Sequence, residues 1–190
     1  MTTETEYRDK ILQYDWDDLM DLWRAIKIDD TPGWSAGKAF EYLVLRAFQL
    51  EGAHVLWPYK VTIGNLTGTE AQGTVEQIDG LVHTSDGLVC LLEFKDRVGN
   101  INIESIAKLR NQLLRRPSAA IGVVFSRSGF TRPALLLAQF SAPQAILLWS
   151  GDEVEVALEN RWFCKGLNTK YRICIARGLA DYTISRGVGS

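Results

Sequence analysis

Three charged residues interrupt the otherwise apolar stretch "QIDGLVHTSDGLVCLLEFKD", residues 77–96: Asp79, Glu93 and Lys95. Glu93 and Lys95 lie two positions apart, so in a strand both leave the same face while Phe94 points to the other, into the core. A turn at Ser85-Asp86-Gly87 makes the flanking runs a hairpin and would return Asp79 to the end of the strand that carries Glu93. Two carboxylates that close repel, and burial favours their protonated forms. A hard divalent cation relieves both problems, because Mg²⁺ takes a few oxygen ligands and completes its shell with water or phosphate oxygens. The carbonyl oxygen of Phe94 would add a further ligand. Lys95 would orient or deprotonate a water, or stabilise charge on an attacked phosphate. That is the equipment for metal-assisted hydrolysis of a phosphodiester. Taken alone, an E-x-K at a strand end also describes a weak surface ion pair.

The elements needed to hold these groups are legible around them. Residues 14–27 place Trp16, Leu19, Met20, Trp23 and Ile26 at helical spacing, with Asp15, Asp17, Asp18 and Asp21 near the front. A second helix over about 35–52 ends at Gly52, and a strand is expected over 54–63. A Gly/Thr-rich connection through Gly73 leads to the hairpin. Beyond it, helices over 101–116 and 131–140 alternate with apolar strands over 119–126 and 144–150, and a short helix starts at Ser150. Such alternation predicts parallel strands joined by right-handed crossovers and covered on both faces. The expected fold is α/β, with core order α-β-β-β-α-β-α-β and a mixed β-sheet sandwiched by helices. The last 30 residues, with "KYRICIAR", give no clear assignment.

Asp79 and Glu93 are separated by thirteen residues, and "EFK" is followed by a helix and a buried strand. This resembles the D…E-x-K core of the PD-(D/E)xK nuclease superfamily, and more narrowly its Mrr-type restriction endonucleases. "GKAFEYLVLRAFQLEGAHV" resembles the family's opening helix, with Glu41 at the position of a glutamate that supports the metal site. "GVVFSRSGFTRPALLLA" and "AILLWSGDEVEVAL" resemble the later strand–turn–helix and the last core strand with its short helix. The resemblance covers about residues 36–157 and implies a restriction-endonuclease-like fold. Residues 1–35 and 158–190 would be an acidic helical extension and a C-terminal extension of one domain. It departs at Ile78, where the superfamily name has proline. It implies Asp79 and Glu93 as metal ligands with the Phe94 carbonyl, Lys95 as the catalytic ammonium, and Glu41 and Gln112 in support. Gln112 also reads as an exposed helix glutamine. The implied cofactor is Mg²⁺, with Mn²⁺ as a substitute, and the implied partner is DNA.

Composition is consistent with this. The 190 residues are 46% hydrophobic and 23% charged, enough for one domain with a proper core. Net charge is −2, but its distribution is uneven. Residues 1–60 carry 7 Lys/Arg against 11 Asp/Glu, whereas residues 95–132 carry 8 against 2, a local net of +6. Lys108, Arg110, Arg115, Arg116, Arg127 and Arg132 in that basic run are candidates for phosphate contacts; a charge run is also often just a solvated face. The acidic N-terminal helix either packs on the core with its aspartates exposed or docks a protein partner or a second copy. A two-fold homodimer would suit cutting both strands of a duplex. The polar start predicts no signal peptide, and no apolar run is long enough to span a bilayer, so the expected location is cytoplasmic, with the three cysteines as reduced thiols.

Other signals are weaker. "GWSAGK" (33–38) lacks the spacing of a phosphate loop. His54 and His83 are too few for histidine-based phosphodiester chemistry. Trp34 and Trp57 read first as packing residues and only second as base-stacking platforms. The bare fold also allows a second function class, a binding or assembly module that cuts weakly or not at all, and within the nucleases an enzyme directed at RNA or branched DNA.

Overall fold

The computed structural model describes residues 4–57, 59–62 and 74–185. Helices α1 (Glu4–Leu12), α2 (Trp16–Lys27) and α3 (Lys38–Leu50) lead into strands β1 (His54–Leu56), β2 (Tyr59–Thr62), β3 (Thr74–Ile78), β4 (Gly80–His83) and β5 (Val89–Lys95). Then come α4 (Ile103–Leu113), β6 (Ala120–Ser126), α5 (Arg132–Gln139), β7 (Ile146–Ser150), α6 (Gly151–Asn160) and α7 (Phe163–Arg177). The main sheet has the order β1-β4-β5-β6-β7. β1, β4 and β5 pair antiparallel; β5, β6 and β7 are parallel. This is the expected mixed sheet between helical layers.

Alternation along the strands sorts the core into two layers. Cys90, Leu92 and Phe94 of β5 join Val123, Phe125, Leu147 and Trp149 beneath α3. Leu91 joins Val124, Ile146 and Leu148 on the opposite face, beneath α4 and α5. α4 lies close on that face because Gly122 of β6 has no side chain; a Cβ there would meet Leu109 Cδ2 at 2.8 Å. α3 is buried nearly all round, since α1 and α2 cover the side that faces away from the sheet. The aspartates that open α2 have a local reason: Asp15 and Asp18 form a reciprocal capping box.

Two expectations are corrected. The single strand expected over 54–63 is two strands, β1 in the main sheet and β2 in a separate ribbon with β3; Ile63 and the Gly/Thr-rich connection 64–73 lie outside the described residues. The first arm of the expected hairpin, 75–84, is likewise divided. Only β4 pairs with β5, while β3 belongs to the ribbon, and the chain changes sheet at Asp79. α1 and α7 were not expected. α7 and the segment after it close the β7 edge, where Leu148 donates its N–H to the Ala180 carbonyl at 3.2 Å.

Candidate active site

The change of sheet at Asp79 sets up the site. The ladder between β4 and β5 ends at Gly80 and Leu92. Two residues further along β5, the Phe94 N–H would continue it, but β3 has turned away to β2. Asp79 takes over, its Oδ2 accepting the Phe94 N–H at 2.9 Å. In an extended strand the carbonyl of a residue leaves on the same side as its N–H, so the Phe94 carbonyl also faces that gap. Its ring stays in the other layer, stacked on Phe125 with centroids 5.4 Å apart.

Glu93 follows Leu91 on the α4 face, where an apolar side chain would be ordinary, and it is fully buried. An uncompensated carboxylate there would be very costly. Two ammoniums compensate it. Lys95 Nζ lies 2.7 Å from Oε1, and Lys108 Nζ, from α4, lies 2.7 Å from Oε2. The Lys108 contact is a hydrogen bond, whereas Oε1 has the ion pair without hydrogen-bond geometry and no other partner. Burial, and then the Glu93 charge, push the Asp79 carboxyl above its usual pKa; the Phe94 N–H, Lys108 and Lys95 pull it back in part. Burial alone would lower the Lys108 ammonium, but Glu93 and Asp79 raise it. Glu93, Lys95 and Lys108 open on a cleft of about 340 Å³ that Arg97, Asn102, Glu104 and Ser105 also line.

Glu41 and Gln112 approach from either side. Glu41, buried on α3, holds Lys38 Nζ with both oxygens at 2.9 and 2.8 Å. Burial pushes its carboxyl up to about 7 against the pull of Lys38, and the Asp79 charge adds to the rise. Gln112 is buried rather than exposed, and its Nε2 donates to the Gln77 carbonyl at 3.2 Å. It therefore ties α4 to β3, two residues before Asp79, and its Oε1 has no partner.

The basic residues do not form one surface. Arg115 and Arg116 both pair with Glu76, which clamps α4 to β3. Burial would raise the Glu76 carboxyl, and the two guanidiniums more than reverse that. Arg127 is only 12% exposed; it donates to the Ile26 carbonyl and pairs with Asp29 and Asp96, strapping the end of β6 to α2. Arg110 is half-buried with Nε unpartnered, and Arg132 is exposed at the start of α5. Trp57 is buried edge-on to Tyr42, and Trp34 stacks on Tyr7. Sequence reasoning placed Lys108 only among phosphate contacts and missed its bond to Glu93. The signal was available: Ser105, Lys108 and Gln112 stand at i, i+3 and i+7 on one face of α4.

Among the described residues, no group of three or more His, Cys, Asp or Glu side chains is gathered closely enough to hold a metal. The available set is smaller: the Asp79 and Glu93 carboxylates and the Phe94 carbonyl. That set fits Mg²⁺, which commonly uses one or two carboxylates and keeps waters. Each Glu93 oxygen already faces an ammonium at 2.7 Å, the counter-charge that a metal ion would replace in part.

A mixed sheet between helical layers, with paired acidic side chains and lysines at the end of its central strand, defines a nuclease-like domain. The chain belongs to the Mrr catalytic-domain family of restriction endonucleases, whose match spans residues 35–158. No curated protein matches it. Among solved structures it is similar to the protein of unknown function AF1548, at TM-score 0.47 and 14% identity over 74% of this chain and 77% of that one. It is also similar to the MspJI restriction endonuclease in complex with a 27-mer oligonucleotide, at TM-score 0.43 and 18% identity. That likeness covers 96% of this chain and 39% of the MspJI chain. Among the described residues, no helix is long and apolar enough to cross a membrane.

Proposed function

We propose that this chain is a divalent-metal-dependent endonuclease that hydrolyses DNA phosphodiester bonds. The observation that carries the reading is the buried Glu93 carboxylate beside Asp79, compensated by two lysines at the floor of an open cleft. Asp79, Glu93 and the Phe94 carbonyl would hold Mg²⁺, or Mn²⁺ in its place. When bound, such an ion lowers the pKa of a coordinated water and neutralises charge on the phosphate. Lys95 orients the attacking water and faces the charge that develops on the phosphate. Glu41, paired with Lys38, lies near enough to Asp79 to feel its charge, and Gln112 ties down the end of β3 that leads into Asp79. Arg110 and Arg132, with Lys108, supply phosphate contacts. Restriction of foreign DNA, or repair, is the setting that suits this chemistry. Residues 36–157 form the nuclease core of one domain, with 1–35 and 158–190 as extensions of it; pairing of two copies, or a protein partner on the acidic α2 face, belongs to the same proposal, as does a cytoplasmic location.

The test is cleavage of supercoiled plasmid by wild type and Glu93→Ala in Mg²⁺, Mn²⁺ and EDTA. Metal-dependent nicking or linearisation by wild type alone is expected. Cleavage by Glu93→Ala or in EDTA would refute it. One observation favours a second reading, a module that binds nucleic acid without cutting: Glu93 is already neutralised by two lysines, and among the described residues no third acidic ligand is gathered with Asp79 and Glu93. With a duplex bound, metal should then leave the melting temperature unchanged, whereas a working site is stabilised by mass action.

A further inference from the structure

Both oxygens of Glu93 are taken by ammoniums, so a cation joining Asp79 and Glu93 has to displace one of them. The two lysines are not equivalent. Lys95 extends from β5, whose backbone is fixed in register with Ser126 of β6. Lys108 reaches across from α4, is 48% exposed at its side chain against 32% for Lys95, and lines the mouth of the cleft. Asp79 feels the Lys108 charge as well as that of Lys95. The Lys108 ammonium thus interacts with both carboxylates, which is what a metal ion there would do. Its stem has four rotatable bonds, so it can leave Glu93 and remain within the cleft.

We propose that Lys108 is a built-in counter-cation, which neutralises Glu93 in the metal-free protein and transfers to a substrate phosphate when a divalent cation takes its place. This rests on the nuclease reading and adds a coupling to it. A free ion must compete with a tethered ammonium held at hydrogen-bond distance. A DNA phosphate in the cleft gives that ammonium a second partner and removes the competition. Metal and DNA therefore strengthen each other's binding, by the same factor in both directions. The chain would hold little metal until a duplex is present. Lys108 in this account acts on Glu93 in the metal-free protein and on the substrate phosphate once metal is bound.

The test measures Mn²⁺ binding by titration calorimetry, on protein alone and on protein with a phosphorothioate duplex that resists cleavage. For wild type, the duplex should tighten Mn²⁺ at least tenfold. Lys108→Met should bind Mn²⁺ at least tenfold more tightly than wild type without DNA, and most of the gain from DNA should vanish. Lys108→Gln should behave alike, which guards against a folding defect in one variant. Arg97→Gln controls for mere loss of positive charge, since Arg97 lines the same cleft without touching Glu93; it should leave Mn²⁺ affinity close to wild type. If Lys108→Met binds Mn²⁺ no more tightly than wild type or Arg97→Gln, the proposal fails while metal binding by wild type leaves the nuclease reading intact. If no protein binds Mn²⁺ even with the duplex, both fail together. Binding by Lys108→Met alone, with none by wild type, would support the counter-cation directly.

Discussion

Asp79 caps Phe94: its Oδ2 accepts the Phe94 N–H at 2.9 Å, where the β4–β5 ladder has run out. The side chain thus replaces a backbone partner. Burial and the Glu93 charge raise the Asp79 pKa, so its ionised form opposes folding at neutral pH. Asp79→Asn keeps an acceptor for Phe94 and removes the repulsion. It should match or exceed wild-type stability in urea unfolding, while plasmid cleavage falls at least about 10²-fold, the scale for loss of a transition-state charge stabiliser. Asp79→Ala should lose about 1 kcal/mol as well, because the Phe94 N–H is left without its partner. Full activity in Asp79→Asn would remove Asp79 from the metal site.

Lys95→Ala separates binding from chemistry. Lys108 still compensates Glu93, so the domain should fold. Cleavage should drop by about 10²–10³-fold, as for other groups aimed at developing charge. DNA binding, followed by fluorescence anisotropy, should change by no more than the loss of a single phosphate contact. An equal loss of binding and cutting would contradict the role assigned to Lys95.

The parts of this site visible in the sequence are those written in local periodicity. Strands β5, β6 and β7 and helices α2 to α5 follow from apolar spacing, and E-x-K places Glu93 and Lys95 on one face of β5 whatever the rest of the chain does. The break at Asp79 was not legible, because "VEQIDGLVH" alternates well enough to read as one strand. Only the competition between β2 and β5 for pairing divides it. The Lys108 bond to Glu93 depends on how closely α4 approaches the sheet, which Gly122 permits from a different strand. α7 was hidden because few of its residues are buried and Gly166 sits within it, yet a Cβ there would meet the Trp149 ring at 2.8 Å. A glycine that weakens the local helix signal is thus what lets the helix pack. Arg115, Arg116 and Arg127 read as a basic field in the sequence, whereas their partners Glu76, Asp29 and Asp96 lie far away or across a turn.

Glu41 gives the metal-free protein a distinctive pH profile. Its carboxyl rises from an ordinary 4.5 to about 7 in the folded state, so the folded chain holds that proton more tightly than the unfolded chain. The Glu41 contribution to stability is therefore full below 4.5, declines as pH rises towards 7, then levels off. The decline is on the order of 3 kcal/mol for a group this buried. Glu41→Gln should remove that decline from urea titrations between pH 4 and 8, leaving the slopes of Asp79, Glu51 and Asp96, which share its sign, against that of Glu76. A difference between wild type and Glu41→Gln that stays constant over this range would show Glu41 ionised and held by Lys38.

Arg127 and Arg132 should part company when tested against DNA. Arg127→Ala breaks pairs with Asp29 and Asp96 and strands the largely buried Asp96 carboxylate. The cost should be about 2–3 kcal/mol, somewhat under that of a fully buried pair because Asp29 is exposed. Its DNA affinity below the melting transition should stay near wild type, since the Arg127 Nη1 and Nε are engaged by the Ile26 carbonyl, Asp29 and Asp96. Arg132→Ala should do the opposite. Unfolding is unaffected, because an exposed residue at the start of α5 supports nothing else. If Arg132 meets a phosphate, its loss reduces the slope of log affinity against log salt by about one. An unchanged slope would move the DNA path away from α5 and towards Arg110 and the cleft mouth at Lys108.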